Sequence, residues 1–432
     1  MGIREFVKKP HVRSLYQKVK RLFCRVVGER GFWATHAFLE RLASIRLSSP
    51  PVSVTGMGNG FSGKPFRFGL NIAGDITAEG GVAEGVRTSI LASKAAGIPY
   101  VLNSFNISHS PNSDSTYASE LVKGNPYGVN LVQVNANKVP SLYNYIGTSH
   151  FRNKYNIGFW AWELSAFPQK WHDRFSYFQE IWTPSLFCRE ALTTVSPIRV
   201  MKVMHAVEIK MSRKFERQQF GIPEGRFVFF FMFDFYSTFE RKNPMAVVEA
   251  FKAAFAPNEP VTLVLKFYNS EINHKDCNRL YKAAPGHSIL LINDYLSRDK
   301  IYGLLACCDA YVSLHRSEGF GLTMAEAMYL GKPVIATNYS GNTEFMKRDN
   351  SFLVEYRLKE LERDFGPYRK GNVWADPDVE DAARWMRYVY ENMEAARKIG
   401  ARAAEDIRQQ LSPKKVGALI KTRISEIVEM SN

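Results

Sequence analysis

Cysteine is scarce in this sequence. The 432 residues hold five, with Cys307 and Cys308 adjacent and Cys24, Cys188 and Cys277 far apart. An odd count at such spacings draws neither a disulfide framework nor a C-x-x-C metal site, and it fits a reducing compartment. No His cluster has metal-ligand spacing, so no metal and no cofactor is expected. Long apolar runs are missing too. The most apolar stretch, Phe227 to Phe233, is far below the ~20 residues needed to cross a bilayer, and the basic N-terminus meets no continuous apolar segment before Gly28. The expectation is a cytoplasmic protein, neither exported by a signal peptide nor transmembrane. Acidic residues are in deficit: 57 Lys and Arg against 42 Asp and Glu leave a formal charge of +15, which points to a polyanionic partner. A nucleic-acid binder of this charge would be expected to show a recognition helix or an aromatic-basic sheet motif. Neither is found, so nucleic acid is not an expected partner.

What is present suits large folded domains. Apolar residues make up 45% and charged residues 23%, as in ordinary globular proteins, and the length asks for two or more domains. The charge is uneven: residues 1–30 carry nine bases and only Glu5 and Glu29 as acids. Val12, Leu15, Tyr16, Val19, Leu22, Phe23, Val26 and Val27 recur there at helical spacing, so the segment reads as a basic amphipathic helix. Docking on anionic lipid head groups, at the inner face of the cell membrane, and packing on the protein itself are both open. Residues 46–65, rich in Ser, Pro and Gly, read as a linker. Gly58, Gly60 and Gly63 match a dinucleotide fingerprint in spacing, but they run into a strand-like segment instead of following one, and Pro65 stands where a phosphate loop needs Ser or Thr. Asp376-Pro377-Asp378 precedes a helical stretch and reads as a turn with an N-cap.

Beyond residue 65 a strand-then-helix rhythm sets in. Strand candidates lie at Phe66 to Ala73, Tyr100 to Phe105, Val129 to Val134, Asn156 to Trp162 and Arg199 to Met204. A second series covers Phe227 to Phe233, Val261 to Phe267, Ser288 to Ile292, Ala310 to Leu314, Pro333 to Thr337 and Phe352 to Val354. Such alternation predicts parallel sheets and an α/β fold of two doubly wound, Rossmann-like domains. The expected division is an extension over 1–64, one domain over 65–215 and a second over 216–432, the last sixty residues being helical.

The stretch Ser317-Glu318-Gly319-Phe320-Gly321-Leu322-Thr323-Met324-Ala325-Glu326-Ala327-Met328 follows a strand, turns on glycine and opens a helix. Backbone N–H groups of Gly319 to Thr323 are thereby placed at a positive helix end, where an anion binds. Glu318 and Glu326 bracket that end. Carboxylates would repel a phosphate, so they make sense as acceptors for hydroxyl groups on either side of it. Similarly, Gly80 and Gly81 in Ala78 to Arg87 lie between a strand and a helix, where they let backbone approach a phosphate.

The Glu318 to Met328 stretch resembles the retaining glycosyltransferases of family 4, with their Glu-x7-Glu signature, and so do Gly331 to Thr337 and Gly341 to Phe345. The resemblance, running from about residue 65 to the end, implies the GT-B fold, two Rossmann-like domains facing a central cleft. It implies Glu318 on sugar hydroxyls, the backbone of Gly319, Phe320, Gly321, Leu322 and Thr323 on sugar and diphosphate, and Glu326 on the ribose. It also implies an Arg and a Lys in Asp234 to Pro244 that neutralise the leaving diphosphate. Lys242 matches the Lys, whereas the Arg position falls on Tyr236, leaving Arg241 or Lys266 as substitutes. Where many members have a His after a strand, this chain has Glu163, as in a subset of bacterial surface-polysaccharide enzymes, with Trp160 and Trp162 able to stack on a sugar or to pack in the core. His205 reads as structural. The implied activity is transfer of a hexose, with retention, from a nucleotide diphosphate sugar to a glycan or lipid-linked glycan for lipopolysaccharide, capsule or exopolysaccharide. A nucleotide-sugar epimerase of the same fold and a non-catalytic sugar-nucleotide-binding scaffold are the alternatives.

Overall fold

The computed structural model describes residues 65–105 and 111–431. The basic segment 1–30, most of the 46–65 linker and the Gly58, Gly60 and Gly63 motif lie outside the described residues. The first sheet holds β1 (Leu70–Gly74), β2 (Tyr100–Ser104), β3 (Val129–Gln133), β4 (Tyr155–Phe159), β5 (Glu180–Thr183) and β6 (Arg199–Lys202), in the order β2-β1-β3-β4-β5-β6. The second holds β7 (Phe227–Asp234), β8 (Val261–Tyr268), β9 (Ile289–Asn293), β10 (Ala310–Ser313), β11 (Val334–Thr337) and β12 (Phe352–Val354), in the order β12-β11-β10-β7-β8-β9. All pairings within these two sheets are parallel. Central strands such as β7 and β8 are buried at nearly every position, which is why they read as largely apolar runs without alternation.

One polar row crosses the first sheet. Asn71, Asn130 and Asn156 share one register, and each amide donates to the next, at 2.9 Å and 2.8 Å. A slip by one residue would leave these buried amides unpaired, so the row fixes the alignment of β1, β3 and β4.

The helices α1 (Gly81–Ala95), α2 (Val139–Ile146) and α3 (Leu186–Thr193) connect strands of the first sheet; α4 (Phe239–Lys242), α5 (Pro244–Ala254), α6 (His274–Ala283), α7 (Arg298–Cys307) and α8 (Leu322–Tyr329) connect strands of the second. Three more, α9 (Val379–Glu391), α10 (Met393–Gln410) and α11 (Pro413–Glu429), close the chain. Among the described residues no helix is long and apolar enough to cross a membrane.

The strand rhythm missed three strands. The strand β5 begins with Glu180, a residue that argues against a core strand. It is fully buried nonetheless, because Arg423 of α11 donates to both its oxygens at 2.6 to 3.3 Å. The other two, β13 (Tyr356–Glu360) and β14 (Val373–Pro377), form an antiparallel hairpin after β12, so the helical tail begins at Val379. A second difference concerns the end of the chain. The expectation kept residues 216–432 in one domain, yet Val416, Ile420, Ile424 and Ile427 of α11 pack in the core of the first sheet with Val86 and Ile90. Their apolar spacing is visible in sequence, whereas the surface they cover is not.

In each sheet the strand order reverses next to the first strand, between β1 and β3 and between β7 and β10. Such switch points open a crevice at the carboxyl ends of the strands. Of the residues singled out in sequence, Gly80 and Gly81 follow β1, Glu163 follows β4, Arg241 and Lys242 follow β7, and Glu318 to Glu326 follow β10, whereas Lys266 lies within β8.

Candidate active site

Two loops hold the segment after β10 in shape. Gly341 donates its N–H to the carbonyl of Glu318 at 2.9 Å, and a Cβ on Gly341 would meet the Gly319 oxygen at 2.3 Å, so no larger residue fits. The Ser340 hydroxyl accepts from the Glu318 N–H at 2.8 Å. Behind them His315 is buried. The Asn342 amide nitrogen donates to Thr337, which leaves its oxygen to accept from His315 Nε2 at 3.0 Å and makes Nδ1 the acceptor from Ser313. At Gly321 φ is +90°, the left-handed value that turns the chain into α8. The result presents the first N–H groups of α8 at the crevice.

Opposite, the end of β7 leads into a single helical turn, α4, bracketed by two non-glycine residues at positive φ, Thr238 at 64° and Asn243 at 55°. A β-branched residue in that region is strained and persists only where its surroundings hold it. The Asn243 amide donates to Leu314 at 2.9 Å, and Arg316 donates its N–H to the carbonyl of Arg241 at 2.8 Å, locking this turn to the β10 loop.

The turn exists to deliver two cations. Lys242 Nζ lies 2.5 Å from Glu318 Oε1. Arg241, only 4% exposed, lies 3.3 Å from the same oxygen, 3.8 Å from Glu163 Oε1, and donates to the carbonyl of Ser317 at 2.7 Å. Burial pushes the Glu318 carboxyl upward, but Lys242, then Arg241, outweigh it and hold the group down at about 2. The structure thus brings Glu318, Lys242, Arg241 and Glu163 into one cluster across the two sheets. Lys266 stands apart, nearly fully buried inside β8 with its ammonium 4.1 Å from the Tyr268 ring centre. Burial lowers it to about 8 against the pull of Asp234.

Glu163 follows β4, and Tyr368 of the β13–β14 hairpin donates to its Oε2 at 2.9 Å. The two neighbouring tryptophans are core residues. Trp160 lies parallel to Phe167, and Trp162 meets Trp171 edge-on while its indole donates to Ala166 at 2.9 Å. Of the two readings open in sequence, packing prevails. His205, read in sequence as structural, stacks on Phe159 and lies edge-on to Phe320, with Nδ1 3.1 Å from the Thr88 hydroxyl.

At the other end of the crevice, Gly80 takes φ +119° at the start of α1, and space is open beyond Gly81. Glu326, in the second turn of α8, accepts from Tyr302 at 3.2 Å. Burial, then the nearby Glu84, push it up to about 8. Around it lies a group that sequence reasoning missed. Arg298 of α7 bridges Glu84 at 2.9 Å and Asp114 at 3.1 Å, both from the first domain, and Arg87 donates to Glu84 at 3.0 Å. The only cue was that Glu84 follows Gly80 and Gly81. Among the described residues no group of three or more His, Cys, Asp or Glu could hold a metal ion.

Residues 212–406 match the family model described as glycosyl transferases group 1. No curated protein sequence matches the chain significantly. Among solved structures, Anabaena HepE in complex with UDP and glucose superposes with a TM-score of 0.60 at 14% identity, over 83% of this chain and all of that one. Sucrose-phosphate synthase from Thermosynechococcus elongatus gives 0.59 at 14%, over 84% of this chain and 100% of its own. A glycosyltransferase from Rickettsia africae gives 0.58 at 14%, over 84% and 99%. At such identity the likeness establishes the fold, and the fold is GT-B.

Proposed function

We propose that the chain is a retaining glycosyltransferase that moves a hexose from a nucleotide diphosphate sugar to a glycan or lipid-linked glycan, in lipopolysaccharide, capsule or exopolysaccharide synthesis. The observation that carries this reading is the cluster of Lys242, Arg241, Glu318 and Glu163 at the crevice, beside the N-terminus of α8. HepE was solved with UDP-glucose, which supports a nucleotide-sugar donor here.

In this reading the diphosphate lies between the N–H groups of α8 and the Gly80-Gly81 backbone, and Lys242 turns to it from Glu318. Glu318 then accepts hydrogen bonds from sugar hydroxyls and Glu326 from the ribose. The bond between the anomeric carbon and the phosphate oxygen breaks as the acceptor oxygen bonds to that carbon from the same face. The acceptor's proton passes to the departing phosphate oxygen, and Glu163 orients the acceptor hydroxyl. Growing negative charge on the diphosphate meets fixed positive groups that need no reorganisation. Closure of the two domains keeps out water that would hydrolyse the donor. The positive charge comes from side chains and a helix end, so this reading asks for no metal. Residues 1–30 are proposed to hold the enzyme at an anionic membrane; equal flotation with liposomes of the full chain and of a form lacking them would end that idea.

The test is incubation with GDP-, UDP-, dTDP- and ADP-sugars and lipid-linked or synthetic acceptors, followed by linkage analysis of the product. Transfer with retention is expected from one donor class. Undiminished transfer by Glu318→Ala would show that the site lies elsewhere.

A further inference from the structure

The β13–β14 hairpin belongs by sequence to the second domain, but it is built into the first. Leu361, Tyr368 and Trp374 are buried in one cluster with Trp162, Phe167 and Trp171. Its base is tied to the β10 loop, since Ala375 donates to the carbonyl of Arg316 at 3.0 Å and the Arg316 side chain reaches Asp376 at 3.0 Å. Its tip, Phe365-Gly366-Pro367-Tyr368, closes through paired backbone bonds between Phe365 and Tyr368. At the tip Gly366 takes φ +59°, and a Cβ added there would lie 3.5 Å from the Thr238 hydroxyl, so the tip faces the strained turn that carries Arg241 and Lys242.

Tyr368 sits where these contacts converge. It is 4% exposed, its ring centre is 5.4 Å from that of Trp162 and 5.9 Å from the Arg241 guanidinium carbon, and its hydroxyl donates to Glu163. The Trp162 and Arg241 contacts would hold the ring without any hydroxyl. The hydroxyl donates to the carboxylate that stands beside the site's cations. A carboxylate accepts several hydrogen bonds and rotates readily unless neighbours fix it. With Tyr368 on Oε2 and Arg241 near Oε1, both oxygens of Glu163 are constrained in direction.

We infer that Tyr368 is a positioning residue for Glu163 and that the β13–β14 hairpin is the acceptor-side wall of the catalytic centre. The inference rests on the transferase reading above. The hairpin supplies from the second domain what orients a carboxylate of the first, so the acceptor-facing group is set only when the two are docked.

The test is a double-mutant cycle in the full-length protein, with Tyr368→Phe, Glu163→Gln and both together. Phenylalanine keeps the ring packing and removes only the hydroxyl, and thermal melts verify that each variant is folded. Tyr368→Phe is expected to lower kcat for transfer about tenfold with the donor KM unchanged. Glu163→Gln is expected to lower it further, and the double variant to equal Glu163→Gln, because a hydroxyl that acts through Glu163 has nothing left to orient. Full activity in Tyr368→Phe, or losses that multiply in the double variant, would overturn the role of Tyr368 while leaving the transferase reading in place. No transfer by the unaltered chain with any donor and acceptor would overturn the reading on which it rests.

Discussion

Glu318 and Glu326 stand on the same loop and helix, the first mostly and the second almost fully buried, and their surroundings treat them oppositely. Glu318 meets two cations and is held ionised down to about 2; Glu326 meets a tyrosine and, nearby, another carboxylate, and is pushed up to about 8. One end of the crevice is therefore a charge cluster already neutralised from within, the other a place where an acid is kept protonated near neutral pH. The lesson is that a motif of two glutamates specifies positions, while the elements packed around each one decide its chemistry.

That contrast can be broken most sharply at Lys242. Lys242→Met should lower kcat about 10²- to 10³-fold, the usual cost of losing a group that meets developing charge, as read in steady-state transfer assays. Glu318→Gln should follow, at about tenfold to a hundredfold in transfer, with a lower melting temperature because Arg241 and Lys242 lose their shared counter-charge. Glu326→Gln should act mainly through pH. The folded-state value of Glu326 lies above the ordinary carboxylate value, so between about 4.5 and 8 the folded protein holds more protons than the unfolded one, and stability contributed here falls as pH rises through that window. Glutamine mimics the protonated form, so the variant should melt several degrees above the parent at pH 9 and within about a degree of it at pH 5. For Glu318 the sign reverses: its contribution is present above the unfolded carboxylate value and is lost as pH falls towards about 2. The smallest effect belongs to Arg298→Ala. Cutting its partly exposed bridges should cost about 1 kcal/mol or less of stability and raise the donor KM severalfold, and an unchanged KM would mean that the bridges across the crevice do not help to close it.

Much of the architecture was legible because parallel strands buried on both faces leave unbroken apolar runs, as Phe227 to Phe233 and Val261 to Phe267 do. Glu318, Lys242 and Glu163 could be proposed from sequence because they stand in segments that follow strands, and the structure brings them together. What escaped depended on distant partners. Glu180 looks unfit for a core strand until Arg423 is known to cover it, and Tyr368 looks like a loop aromatic until the hairpin folds onto Trp162. The bridge from Arg298 to Glu84 and Asp114 joins residues some two hundred positions apart, with no local pattern to announce it. Trp160 and Trp162 were ambiguous in sequence because stacking on a sugar and packing in a core ask for the same ring.

The last helix carries a consequence for how the protein is made. With α11 seated on α1, Arg423 on Glu180, and the Phe66 N–H on the hydroxyl of Ser431, the first domain lacks a wall until residues 413–431 have been synthesised. During translation the first domain is therefore expected to complete its core only after α11 has emerged, later than its place in the sequence would suggest. A stop codon before residue 413 would harm the earlier half of the protein more than the later.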